Sequence, residues 1–90
     1  MKVTILGKVY PIIQTTFDLS GGTLMGSANR SKQLIVVRKE GLGRDQYLET
    51  LLHEVLHIVS DELAVGLDED DVSRLAVGLY SAGCRIKVEK

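Results

Sequence analysis

The stretch TLLHEVLHIV, residues 50–59, contains both histidines of the chain, His53 and His57, four positions apart. Apolar residues around it recur every three or four positions, which predicts an amphipathic helix and not a strand. The apolar positions of this helix are Leu48, Leu51, Leu52, Val55, Leu56, Val59 and Leu63. We expect Asp45 to cap the helix and its leucines and valines to pack on a sheet.

Strand signals lie before this helix. Residues 2–6 and 9–15 alternate around Gly7-Lys8, which predicts a β-hairpin. Residues 23–27 predict a short strand, and the apolar, β-branched stretch QLIVVRK at residues 33–39 predicts a core strand. The sequence therefore predicts a small antiparallel sheet of three or four strands.

A second helix is predicted after the first. Asp68 is a good N-cap and Gly83 a good end for it. Its apolar positions are Val72, Leu75, Ala76 and Leu79. The expected fold is a single α+β domain over residues 1–90, in which two packed helices follow the sheet and the first carries H-E-x-x-H.

Composition excludes several classes of protein. Eleven basic and 12 acidic residues give a net charge of −1, so the chain has no basic excess for a nucleic-acid partner. Cys84 is the only cysteine, which excludes an intramolecular disulfide. The apolar runs are too short for a membrane span or a signal peptide. We expect a cytoplasmic protein with no membrane partner.

The spacing of the histidines predicts a metal site. At roughly 100° per residue, His53 and His57 differ by about 40° and project from one helix face, so both can bind one tetrahedral metal. Glu54 lies about 100° from His53, where it is badly placed to ligate but well placed to contact a water on the metal. The pattern indicates two Zn²⁺ ligands with Glu54 as the catalytic general base.

A catalytic zinc site usually has a third protein ligand, and no other histidine remains. The donor is then a carboxylate or Cys84. Asp71 lies one turn before Leu75, on the side expected to face the first helix, and is the preferred candidate. Asp70 comes second, and Glu69 is expected to point further round. Helix capping and the helix dipole also explain acidic residues here without a metal.

TLLHEVLHIV resembles the extended zincin signature, in which small or apolar residues flank H-E-x-x-H. DEDDVSRLAVGLY, residues 68–80, is similar to the second helix of gluzincin-type peptidases, although those use glutamate as third ligand. Size and element order resemble compact phage- or prophage-encoded relatives of the ImmA/IrrE-type metallopeptidases. The resemblance is strong over residues 44–80 and only topological over the first forty residues.

This resemblance implies a zinc-dependent metallopeptidase that hydrolyses an extended protein or peptide segment, such as part of a repressor-type regulator. It also implies that the strand at residues 33–39 is a sheet edge that pairs with the substrate. Two other functions fit the same residues. One is a non-catalytic domain stapled by zinc. The other is a phage-encoded interaction module that keeps a relic motif and binds a partner through its sheet edge.

Overall fold

The computed structural model of the protein describes residues 1–15, 26–29, 33–38 and 42–90. Four strands precede two helices, which confirms the predicted α+β class and the order of elements. The elements are β1 (Lys2–Ile5), β2 (Lys8–Thr15), β3 (Gly26–Asn29), β4 (Leu34–Arg38), α1 (Arg44–Glu62) and α2 (Glu69–Ser81). The histidine-containing stretch lies within α1.

The sheet is mixed, with strand order β1-β2-β4-β3. β1 pairs antiparallel with β2, and β3 pairs antiparallel with β4. The central strands β2 and β4 are parallel, with Ile12 opposite Ile35. The prediction of an antiparallel sheet is therefore wrong at its centre, because an alternating strand pattern does not reveal the direction of its neighbour.

The edges of the sheet also differ from expectation. The strand at residues 33–39 corresponds to β4, which lies between β2 and β3, so its predicted edge position is wrong. Among the described strands, β3 and β1 form the edges, and Lys2 of β1 forms a bridge with Glu89. The strand predicted at residues 23–27 overlaps β3 only in part, and residues 23–25 lie outside the described residues.

Helix α1 is the middle layer of the protein. It packs on β1, β3 and β4 with one face and on α2 with another, whereas α2 contacts no described strand. Alternate residues of β1, β2 and β4 point toward α1 and form the core with its apolar face. This core comprises Val3, Ile5, Tyr10, Ile12, Ile35, Val37, Leu51, Val55 and Ile58. The position of α1 between two layers explains why its polar residues face α2 and not the sheet.

The helix ends depart from prediction at α1 and agree with it at α2. Gly43 occupies the N-cap of α1 without a side-chain hydrogen bond, so the prediction of Asp45 as N-cap is wrong. Asp45 instead accepts a hydrogen bond of 2.7 Å from the Tyr80 hydroxyl at the far end of α2. Asp68 caps α2 as predicted. No helix among the described residues combines the length and apolar composition that crossing a membrane requires.

The β1–β2 hairpin turns at Leu6-Gly7, one residue earlier than the predicted Gly7-Lys8. Ile5 pairs with Lys8 across the turn, and the two central residues have φ of 50° and 81°. Positive φ at both central positions is typical of a type I′ turn, which favours Asn-Gly. Leucine in this backbone region costs about 1–2 kcal/mol, because its Cβ approaches the following carbonyl oxygen.

We predict that Leu6→Asn raises the free energy of unfolding by about 0.5–1 kcal/mol, because asparagine tolerates positive φ and Leu6 is exposed. Urea denaturation measures the change. Gly7→Ala is the opposite control and should destabilise the protein, since nothing lies within 4 Å of an added Cβ and only the backbone conformation opposes it. An unchanged or lower stability of Leu6→Asn would show that the turn is not strained.

Candidate metal centre

The histidines of α1 stand together on the side that faces α2. Their Nε2 atoms are 3.2 Å apart, and their rings meet edge to face with centroids 4.9 Å apart. Both side chains are partly buried, so each retains contact with solvent. The structure thus places His53 and His57 as the helical spacing predicts, with two nitrogens directed to a common point.

Glu69, the first residue of α2, completes the cluster. Its Oε1 lies 2.6 Å from His53 Nε2, and its Oε2 lies 2.7 Å from His57 Nε2. Among the described residues, these three side chains form the one group of His, Cys, Asp and Glu whose ligand atoms all lie within 4.8 Å of one another. The carboxylate therefore joins α1 to α2 at the histidines.

The structure places Asp71, the predicted third ligand, in a different role. The Asp68 carboxylate accepts a hydrogen bond of 2.8 Å from the Asp71 backbone N–H, and the Asp71 carboxylate accepts one of 3.4 Å from the Asp68 N–H. This reciprocal pair is a capping box, which satisfies two free donors at the start of α2. Asp70 and Cys84 are exposed and do not belong to the cluster.

The prediction of Asp71 depends on a buried face of α2 that includes Leu75, and the structure places the buried face elsewhere on the helix. Val72 and Ala76 are buried, whereas Leu75 is 41% exposed. Glu69 precedes Val72 by three residues and Ala76 by seven, so it shares their side of the helix. The spacing of Glu69 from Val72 and Ala76 is the sequence signal for its position. Only the packing of α2 on α1 shows that this side of the helix faces the histidines.

Glu54 is adjacent to His53 on α1 but is buried, at 6% exposure, whereas the predicted contact with a water implied a more exposed position. Burial raises the pKa of its carboxyl to about 7; the charge of His57 lowers it, and that of Glu69 adds a smaller increase. A carboxyl with a pKa near neutrality can both accept and donate a proton at pH 7. The arrangement can therefore move a proton next to the histidines.

The donor set fits a divalent metal such as zinc. Two imidazole nitrogens and one carboxylate oxygen are ligands of catalytic zinc sites, and two nitrogens on tetrahedral zinc lie about 3.3 Å apart. The histidine nitrogens already have this separation, at 3.2 Å. The distances to Glu69 are those of hydrogen bonds, so its carboxylate must withdraw slightly to admit an ion. Its side chain is 67% exposed and has room to do so.

The connection between α1 and α2 places Glu69 next to His53 and His57. Ser60 accepts two hydrogen bonds from this connection. Its carbonyl accepts one from Val65 N–H at 2.9 Å, and its hydroxyl accepts one from Leu67 N–H at 3.0 Å. Ala64 and Gly66 adopt positive φ, which tightens the reversal. Ser60 is buried, at 3% exposure, and its spacing in the sequence did not single it out.

Comparison of the chain with protein-family models, with curated proteins and with solved structures finds no match. The function has to be inferred from the side chains themselves. The relevant ones are His53, His57 and Glu69, together with the buried Glu54 beside them.

We predict that the contribution of Glu54 to the stability of the chelator-treated protein falls as pH rises from about 4.5 to 7, because folding raises the pKa of Glu54 from 4.5 to about 7. The folded state binds this proton more tightly, so its stabilising effect is complete below the lower value and lost above the higher one. Its full size is on the order of 3 kcal/mol. Urea denaturation across this pH range measures it.

Glu54→Gln carries no charge at any pH and should lack this component. The stability difference between the variant and the parent should therefore grow in favour of the variant between pH 4.5 and 7, while contributions from other carboxyls cancel. Parallel stability profiles for the two proteins would show that Glu54 is not desolvated in the folded state.

Proposed function

We propose that the protein is a zinc-dependent metallopeptidase of the zincin type, in which His53, His57 and Glu69 hold Zn²⁺ and Glu54 is the general base. One observation carries this proposal. Two imidazole nitrogens and a carboxylate from another helix converge within hydrogen-bond distance, next to a buried carboxyl on the same helix as the histidines. A carboxyl suited to proton transfer and a set of metal-binding side chains therefore lie next to each other.

Each side chain of the proposed site has a separate role in hydrolysis. Zinc, when bound, supplies Lewis acidity that lowers the pKa of water toward neutrality and polarises a carbonyl. Glu54 accepts the proton of the attacking water and delivers it to the leaving amine. Its pKa of about 7 suits both steps, because the group must be a base first and an acid later. The histidines and Glu69 act only as ligands.

Glu69 also strengthens the resemblance to gluzincins. Those peptidases use glutamate as third ligand, whereas the helical spacing predicts aspartate, Asp71, in this chain. The carboxylate that meets the histidines belongs to a glutamate at the start of the second helix. In the proposed site the third ligand is therefore a glutamate, as in that family.

We propose that the substrate is an extended protein segment that pairs with β3. This strand is an edge among the described strands, and α1 packs directly against it. Exposed strand edges accept extended peptides through main-chain hydrogen bonds. β3 takes the role that the resemblance first assigned to β4. By the same resemblance, a cytoplasmic repressor-type regulator is the substrate we propose.

A second candidate function is a structural zinc site without catalysis. The observation that favours it is the isolation of α2, which packs only on α1 among the described elements and fully buries only Val72 and Ala76. A metal that joins the two helices would add much to so small an interface. Metal content alone does not separate this candidate from the first, because both require zinc.

We predict one zinc ion per chain in protein purified without chelator or histidine tag, measured by elemental analysis. His53→Ala should abolish stoichiometric zinc, and Glu69→Gln should weaken it by about 100-fold, because each removes a ligand charge or nitrogen. Asp71→Asn is the matched control, because it removes a carboxylate two positions from Glu69. It should change zinc affinity less than about threefold.

The order of the two acidic variants decides the third ligand. A larger loss of zinc in Asp71→Asn than in Glu69→Gln would restore Asp71 to that role. A parent protein that binds no zinc at micromolar free metal would reject both the enzymatic and the structural candidate.

We predict that Glu54→Gln retains zinc with parental stoichiometry and loses at least about 100-fold in cleavage rate, because the base is removed and the ligands remain. The assay is hydrolysis of a library of unstructured peptides, followed by mass spectrometry. Glu49→Gln, a carboxyl change one helix turn and a half earlier on α1, is the control and should cleave normally. Cleavage by Glu54→Gln at the parental rate would refute the general-base role.

A further inference from the structure

We infer that Ser60 is a positioning residue for the third metal ligand: it anchors the connection that brings Glu69 against His53 and His57. The inference rests on the proposed function and adds to it a residue that touches neither metal nor substrate. Its basis is the pair of hydrogen bonds that Ser60 accepts from Val65 and Leu67.

Ser60 and the histidines share one rigid element. Ser60 follows His57 by three residues on α1, so the two side chains lie on neighbouring positions of one helix face. A hydrogen bond to Ser60 therefore fixes the connection relative to the imidazole rings themselves. Any shift of the connection along α1 must break at least one of its two hydrogen bonds to this residue.

The hydroxyl bond lies close to the ligand in the chain. Leu67, whose N–H donates to Ser60 Oγ, is two residues before Glu69. The intervening Asp68 is fixed by the capping box with Asp71. The two residues before Glu69 are thus both hydrogen-bonded, Leu67 to α1 and Asp68 to Asp71 in the first turn of α2.

Backbone placement matters for Glu69 because little else holds its side chain. The side chain is 67% exposed, so packing does not select its rotamer. Its contacts are the two imidazole nitrogens at 2.6 and 2.7 Å. A displacement of the start of α2 changes the position of Glu69 directly, whereas the buried side chains of α2 lie one and two turns further along.

The test is the zinc dissociation constant of Ser60→Ala, measured by competition with a chromophoric chelator. We expect it to rise about tenfold, as for other residues that orient metal ligands. Ser81→Ala is the matched control, because its exposed hydroxyl donates to Val77 within α2, and it should bind zinc like the parent. If Ser60→Ala does not fold, Ser60→Cys preserves the volume and supplies only a weak acceptor.

A double-mutant cycle with Glu69→Gln separates positioning from general destabilisation. If Ser60 acts through Glu69, Ser60→Ala should weaken zinc in the parent and have little further effect when Glu69 is already changed. Equal effects in both backgrounds, or no effect in the parent, would overturn the inference.

A metal-free measurement keeps this test apart from that of the proposed function. The imidazole NMR resonances of His53 and His57 report their contact with Glu69 in chelator-treated protein. We expect Ser60→Ala to shift them in the direction that Glu69→Gln does, and Ser81→Ala to leave them unchanged. Failure of the parent to bind zinc would reject the proposed function alone, whereas unshifted imidazole resonances in Ser60→Ala would reject the positioning role.

Discussion

The contact of the Glu69 carboxylate with two imidazoles of α1 joins the second helix to the rest of the protein. α2 packs on α1 alone among the described elements, and its fully buried side chains are Val72 and Ala76. Burial of these two contributes only about 2–3 kcal/mol. Structural zinc in small domains contributes about 10–16 kcal/mol. In the proposed zinc-bound protein, the metal would therefore be the main attachment of α2, and site and helix pair would form together.

The layered arrangement explains how so short a chain holds such a site. α1 carries its core face toward the sheet and its histidines toward α2, so one helix serves both the fold and the cluster. The Tyr80–Asp45 hydrogen bond ties the other end of the helix pair. Glu69 and Tyr80 are about 16 Å apart along α2. Contacts at both ends resist a slide of α2 by one helical turn, which would separate Glu69 from the histidines.

Periodicity was sufficient to predict the helices, most strands and the pairing of His53 with His57, because these depend on local spacing. It did not predict the parallel pair β2–β4 or the internal place of β4, since both depend on which strands meet in space. The place of Glu69 beside the histidines was not predicted for a similar reason. The apolar stripe of α2 is about 100° wide, with Asp71 beyond one margin and Glu69 beyond the other. Packing on α1 selects the margin of Glu69, and no local property of the sequence does so.

The buried Glu54 bears on the choice between the two proposed functions, which share His53, His57 and Glu69 as proposed zinc ligands. A structural zinc site needs His53, His57 and Glu69, and it has no use for an additional carboxyl beside them. Glu54 is nevertheless held at 6% exposure, where burial raises its pKa to about 7 and its ionisation opposes folding. A glutamine or leucine would occupy this position without that cost. A group kept in an environment that destabilises its charged form is a feature of sites that transfer protons. The burial of Glu54 is therefore our reason for proposing catalysis ahead of a purely structural metal.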